Sequence, residues 1–247
     1  MTIYPHDLVV PFKNSTESKK IQVKNMFDEI AYRYDFLNRV LSLGIDVGWR
    51  TKAIKQLLPF HPKKILDVAT GTGDFALTSY RILRPEKITG IDISDKMLKI
   101  GREKIAKSGL GNFIELIKGD SEAISLADNS FDAVTVAFGV RNFENLEKGL
   151  LEIKRVLKPG GKLIILECSK PSLPMIKQAY SFYMKFITPK IGKIIAKNNE
   201  AYQYLNDSVS KFPEKKSFIQ ILNQSDYRNA FYKTLTLGIC TIYCADK

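Results

Sequence analysis

Between residues 63 and 168 the chain alternates short, β-branched apolar runs with helical patterns, and that alternation leaves few folds open. "KKILDVA" (63–69), "KITGIDI" (87–93), "FIELIKG" (113–119), "FDAVTVAF" (131–138) and "GKLIILEC" (161–168) read as strands. Between them lie "DFALTSYRIL", "SDKMLKIGREKIAKSG" and "ENLEKGLLEIKRVLKPGG". The last places Leu146, Leu150, Ile153, Val156 and Leu157 at helical spacing and then stops at Pro159-Gly160-Gly161. Regular strand–helix alternation implies a parallel sheet covered on both faces. Two further strand-like runs, "DYRNAFYKTLTLG" and "GICTIYCADK", meet at Gly238 and are expected to pair antiparallel. The fold class is therefore α/β, a doubly wound and mostly parallel seven-stranded sheet with an antiparallel last strand.

The rest of the chain limits what such a sheet is attached to. At 247 residues and 45% hydrophobic it can bury one full core, so residues 1–247 read as a single domain. A helical cap is expected over about 17–58, ahead of the first strand, and a helical lid insertion over about 171–212. No apolar run reaches the roughly 18 residues needed to span a bilayer. The N-terminus has neither the basic start nor the apolar stretch of a secretory signal, which points to the cytoplasm. Three scattered cysteines give no disulfide framework; Cys240 and Cys244 share one face of the last strand. Two histidines, His6 and His61, sit beside prolines and supply too few ligands for zinc, so no metal is expected. A formal charge of +12 suits nucleic acid, an anionic membrane face or an acidic substrate, and only its distribution discriminates.

Ligands of open parallel sheets bind beyond the carboxyl ends of the strands. There the sequence is most informative. In "LDVATGTGDFA" an apolar strand reaches Asp67, and Gly71-Thr72-Gly73 turns the chain into a helix, with glycines that permit close backbone approach to a ligand. "GIDIS" ends the next strand on Asp92, an acceptor for two ribose hydroxyls. Read as G-x-G-x-x-A, this suits NAD; read as D-x-A-x-G-x-G, it suits S-adenosyl-L-methionine, which has a ribose and no pyrophosphate. After the third strand, Asp120-Ser121 places a carboxylate for an adenine amino group and a backbone N–H for a ring nitrogen.

With those residues in view, the sequence resembles the class I S-adenosylmethionine-dependent methyltransferases, Rossmann-like domains for which "LKPGGKLIILE" and a terminal antiparallel pair are characteristic. The resemblance favours S-adenosylmethionine over NAD. It narrows with "FDEIAYRYDFLNRVLSLGID", "GTGD", "FGVRNF" and "LECSKP", which together look like the quinone-biosynthesis C-methyltransferases from about residue 24 onward. That family methylates demethylmenaquinol and, in some members, the benzoquinol precursor of ubiquinone. Ala137 stands where many members carry serine. The resemblance implies that Gly71, Thr72, Gly73, Asp92, Asp120 and Ser121 bind the cofactor. It also gives roles to three residues facing the substrate: Arg141 stabilises a phenolate, Asn142 holds the ring or its loop, and Tyr34 donates to the other quinol oxygen from the cap. The other reading of Arg141 is a salt bridge to a neighbouring element.

The insertion mixes lysines 177, 185, 190, 193 and 197 with Tyr180, Phe182, Tyr183, Phe186, Tyr202 and Tyr204. It is read as a lid over a prenylated hydroquinone, its lysines making transient membrane-surface contact at the inner face of the cell membrane, at about 1 kcal/mol for each one near the surface. The rival is a solvated basic helical hairpin. No nucleic acid is expected as a partner, and a homodimer is left open. From another functional class comes a non-catalytic, cofactor-binding scaffold of a quinone-biosynthesis complex.

Overall fold

The computed structural model describes residues 3–183 and 199–247. Lys185, Phe186, Lys190, Lys193 and Lys197 of the insertion lie outside the described residues, as does the side chain of Tyr202.

Two helices come first, α1 (Lys19–Leu41) and α2 (Ile45–Ile54), followed by a 3-10 turn over Lys55–Phe60. Ser18 caps α1, its side chain accepting from Ile21 N. Five strands and three helices follow: β1 (Lys64–Val68), α3 (Asp74–Leu83), β2 (Lys87–Asp92), α4 (Asp95–Lys107), β3 (Ile114–Lys118), β4 (Phe131–Ala137), α5 (Leu146–Val156) and β5 (Leu157–Cys168). Then come α6 (Pro174–Phe182), α7 (Asn199–Lys211), α8 (Lys216–Gln224), β6 (Arg228–Leu235) and β7 (Cys240–Asp246).

The seven strands are ordered β3-β2-β1-β4-β5-β7-β6, with β7 antiparallel to both of its neighbours. The expected sheet is thus present, including its antiparallel last strand. One boundary differs from expectation. β5 begins at Leu157, directly after α5, and Phe131 pairs with Leu157 before the register shifts at Ala133. Pro159-Gly160-Gly161 therefore lies within the bulged start of the strand, since a bulge tolerates a residue without a backbone N–H.

Each face of the sheet is covered. One core gathers Val68, Val134, Val136, Leu150, Ile153 and Phe218; the other gathers Ile65, Phe75, Ile88, Leu98, Ile164 and Leu166. Near-continuous burial along β1 and β4 is the expected signature of strands covered on both sides. Cys240 and Cys244 share the second core, as their spacing implied. The topological switch lies between β1 and β4, whose crossovers run to opposite sides. Above that point α1 crosses the carboxyl ends of the strands.

Candidate active site

The turn after β1 is built around a buried carboxylate. Asp67 accepts from Thr70 Oγ1 at 2.6 Å and from Thr135 Oγ1 at 2.7 Å, while burial pushes its carboxyl up to about 6. It serves the frame of the turn. Gly71 then takes a left-handed conformation, φ 54°, and nothing stands within 4 Å of where its Cβ would be, so its backbone faces open space. The Gly71 N–H donates to Asp92 Oδ2 at 2.8 Å, and Ser94 N donates to Oδ1 at 2.9 Å. Burial nonetheless raises the Asp92 carboxyl above the ordinary carboxylate range, with those N–H groups opposing.

Gly71, Asp92, Asp120 and Ser121 line one cavity of about 70 Å³, together with Phe27, Tyr34, Ala137, Phe138 and Asn142. A side chain meets Asp120 there: Lys20 Nζ donates to its Oδ2 at 2.7 Å and lies 3.4 Å from Glu122. Two expected residues stand elsewhere. Thr72 donates to Asp35 Oδ1 of α1 at 2.6 Å and lines a smaller polar recess with Arg50, Asp67 and Asp74. Gly73 lies on the α4 side, where a Cβ would sit 3.4 Å from Leu116 and 3.9 Å from Gly101. Lys104 bridges the same corner, donating to Asp35 Oδ2 at 2.8 Å and also contacting Asp74.

β4 ends at Ala137, and Phe138 adopts a left-handed φ of 57° that turns the chain across the sheet. Gly139 follows because a Cβ there would stand 2.7 Å from Ala69 Cβ. A 3-10 turn over Val140–Asn142 then sets Arg141 and Asn142 against a second, larger cavity of about 160 Å³. Its wall is largely apolar and aromatic, with Trp49, Phe138, Tyr180, Tyr183 and Tyr204 among the lining residues. Tyr34, Phe27, Phe138 and Asn142 line both cavities and form the partition between them.

The three residues expected on the substrate side, Tyr34, Arg141 and Asn142, all line this cavity. Arg141 is 5% exposed and lines the cavity; Nη1 donates to Phe138 O at 2.7 Å and to Glu167 Oε1 at 2.5 Å. The salt bridge weighed as the alternative for Arg141 is therefore present, to a strand end, and the residue lines the cavity as well. Asn142 Nδ2 donates to Phe138 O at 3.2 Å, and its Oδ1 accepts from Tyr204 O–H at 3.1 Å. Tyr34 is hydrogen-bonded to Asn38, packs edge-on to Phe27 at 5.8 Å, and has its hydroxyl pushed up by burial.

The insertion contributes lining residues. Tyr180, Tyr183 and Tyr204 line the larger cavity, and Tyr183 O–H donates to Leu41 O at 3.0 Å, tying the insertion to the end of α1. Phe182 is 59% exposed and Lys177 is exposed. Sequence reasoning passed over Glu167, Arg50 and Trp49, and took Cys168, which lines the larger cavity, as a bystander. The signal for Glu167 was a lone carboxylate in the apolar run "GKLIILEC"; for Arg50 and Trp49 it was "GWR" inside a cap helix. Arg50 pairs with Asp46 and lies 3.9 Å from Asp74, with its guanidinium 5.8 Å from the Phe138 ring centre.

Three comparisons bear on this site. The model of the ubiE/COQ5 methyltransferase family matches residues 14–247. A demethylmenaquinone methyltransferase of Bacteroides fragilis is 47% identical over 244 residues, covering 99% of each chain. A ubiquinone/menaquinone biosynthesis C-methyltransferase of Geotalea daltonii is 45% identical over 237 residues, 96% of this chain and 100% of that one. Among solved structures, a SAM-dependent methyltransferase of Thermotoga maritima superposes with a TM-score of 0.63 at 20% identity, covering 90% of this chain and 99% of that chain, a likeness of fold.

Proposed function

The chain belongs to the ubiE/COQ5 methyltransferase family, and from that premise we propose that it methylates a ring carbon of demethylmenaquinol, with S-adenosylmethionine as the methyl donor. The observation that carries this reading is the shared partition. A cavity lined by Asp92, Asp120 and a bare Gly71 backbone adjoins an aromatic cavity lined by a buried arginine, and among the described residues Phe27, Tyr34, Phe138 and Asn142 line both.

The residues present fit the cofactor. The open space above Gly71 admits a close ligand, Asp92 keeps free lone pairs for ribose hydroxyls, and Ser121 lines the far end for the adenine. Asp120 becomes available when Lys20 gives up its contact or shares it. When bound, S-adenosylmethionine supplies a methyl group activated on a positively charged sulfur.

The protein must make a carbon nucleophilic. A hydroquinone hydroxyl that loses its proton pushes negative charge onto the neighbouring ring carbon; a quinone has no such proton, so the reduced form is the substrate. Arg141 stays protonated and stabilises the phenolate, directly or through an ordered water, while solvent takes the proton. Asn142 and Tyr34 hold the ring at the partition. The carbon–carbon bond would form as the methyl–sulfur bond breaks, leaving neutral S-adenosylhomocysteine, and the ring carbon would then release its hydrogen as a proton to restore the aromatic hydroquinone. Alignment across the partition contributes on the order of 7–11 kcal/mol where the attack geometry is met.

A benzoquinol precursor of ubiquinone is the second reading, favoured by relatives whose names cover both pathways. The prenyl tail follows the aromatic wall beneath α6 and α7, the lid. We propose transient membrane contact on that side, where Lys177 is exposed. No helix among the described residues is long and apolar enough to cross a membrane.

The deciding experiment supplies purified protein with S-adenosylmethionine and a short-tailed demethylmenaquinone, with and without dithionite, and follows product mass. One added methyl in the reduced sample alone is the expected result. No methylation in either, with S-adenosylhomocysteine still bound, sends the test to benzoquinols; failure there favours the cofactor-binding scaffold.

A further inference from the structure

β5 carries a carboxylate into an otherwise apolar interior. Glu167 is fully buried; its Oε1 accepts from Arg141 Nη1 at 2.5 Å and from Cys168 N at 2.8 Å. Glu167 Oε2 and Arg141 Nε have no hydrogen-bond partner among the described residues. Glu167 lines none of the three cavities; Arg141 stands between it and the aromatic one.

We propose that Glu167 is a positioning residue that sets how strongly Arg141 acidifies the substrate hydroxyl, by fixing the guanidinium against the end of β5 and cancelling part of its charge. The proposal rests on the role given above to Arg141. An unpaired buried guanidinium would bind the phenolate too well, and a phenolate held too tightly donates less charge to its ring. A buried carboxylate at hydrogen-bond distance divides the cation's field between two anions. Burial raises the Glu167 carboxyl and the adjoining guanidinium, 2.5 Å away, opposes that.

Several titratable or charged groups face this pair. They are Tyr34 on α1, Cys168 on β5, Tyr180 on α6, Tyr204 on α7 and Cys240 and Tyr243 on β7, with Arg50 of α2 acting on Tyr34 and Cys240, and Lys19 behind the Arg141 backbone, its Nζ 3.4 Å from Arg141 O. Burial holds the tyrosine hydroxyls and the thiols above their ordinary range, Cys168 at about 12. Lys19 is lowered by burial to about 8 and titrates within the assay range. The Arg141 charge is one cause of that lowering, so Lys19 shifts as well when Arg141 is replaced, and the spectroscopic titration of a bound phenol separates the two.

The test is the pH profile of kcat for the holoenzyme on reduced demethylmenaquinone. Glu167→Gln keeps the shape and removes the charge. Its acidic limb is expected to move down by about one pH unit, with kcat on the alkaline plateau reduced about tenfold or more and S-adenosylhomocysteine affinity within twofold of the parent. Glu167→Asp, which keeps the charge, is expected to hold the limb in place while kcat falls. Arg141→Gln must move the limb the opposite way, upward. If both Gln variants leave the limb unmoved, the reading of Arg141 fails; if Arg141→Gln moves it and Glu167→Gln does not, this proposal alone is overturned. Should Glu167→Gln not fold, Glu167→Asp decides: a lower kcat with the limb in place supports the proposal, and a kcat equal to the parent overturns it. Absorbance titration of bound 1-naphthol gives the same phenol shift without turnover.

Discussion

A guanidinium at the end of a central strand is costly to bury, and Arg141 repays that cost only if its charge is used. Arg141→Ala is expected to lower kcat by about 100- to 1,000-fold, the usual loss for a donor aimed at developing negative charge, with S-adenosylhomocysteine binding unchanged by calorimetry. A proportional loss of cofactor affinity would place the residue in the wrong cavity. His6 makes a prediction about pH. It is fully buried against Phe212, with Nε2 3.2 Å from Asp7 Oδ1 and no hydrogen bond between them. Burial first, and then the Lys19 charge, lower its pKa from 6.5 to about 3, so the imidazole is neutral and this contact is no ion pair. Unfolding between those values takes up a proton, so the contribution of His6 is complete above pH 6.5 and is lost progressively as pH falls toward 3. Urea midpoints of the parent should drop across that window, and those of His6→Leu should drop less; equal slopes would refute the assignment. At this scale the sequence marked Asp92 at the end of β2 and Arg141 and Asn142 after β4 as expected site residues, and each lines one of the two cavities at the carboxyl ends of the strands. Glu167 was illegible as a partner, since it meets Arg141 only once β5 lies beside β4 and Leu166 O receives the Phe138 N–H.

Elements meet at this site with little slack. α1 is tied to the frame at three places: Lys20 to Asp120, Asp28 to Ser94 Oγ at 2.6 Å, and Asp35 to Thr72. α4 approaches the glycine turn so closely that a Cβ on Gly101 would stand 2.5 Å from Leu116 Cδ1 and 3.1 Å from the Thr72 carbonyl carbon. Gly101→Ala gains about 1 kcal/mol in helix propensity and loses about 1–3 kcal/mol to overpacking. Because the backbone of Thr72 has to shift, the loss should win: melting a few degrees earlier, with weaker S-adenosylhomocysteine binding. A higher Tm would show that Leu116 swings aside freely. The strands and α5 were legible from period and punctuation. The place of Thr72 was not, because the spacing of a glycine turn says which residues bend and leaves open which face a third element will claim. The same holds for Pro159-Gly160-Gly161, a helix stop by local chemistry that the sheet absorbs as a bulge.

For the whole molecule, the cavity lined by Asp92 and Asp120, proposed above for the cofactor, lies between the sheet and α1, so a ligand there cross-links cap and core. S-adenosylhomocysteine at a hundred times its Kd should stabilise the fold by about 2.7 kcal/mol, a rise in Tm of about 5–11 °C for a chain of this size. NAD should give no rise; an equal rise would revive the dinucleotide reading of the glycine turn. The sheet itself has a further consequence, for synthesis. β7 is the seventh strand in chain order and sits inside the sheet, pairing β5 through Cys168↔Cys240 to Lys162↔Asp246 and β6 on its other side. While the ribosome is still making it, β5 presents an apolar open edge and β6 has no neighbour to join. The growing chain can assemble its parallel half early, yet it must wait for these final residues before the sheet closes. A nascent chain halted at Gly238 should be sticky and readily cut by protease, and completing one more strand should end both.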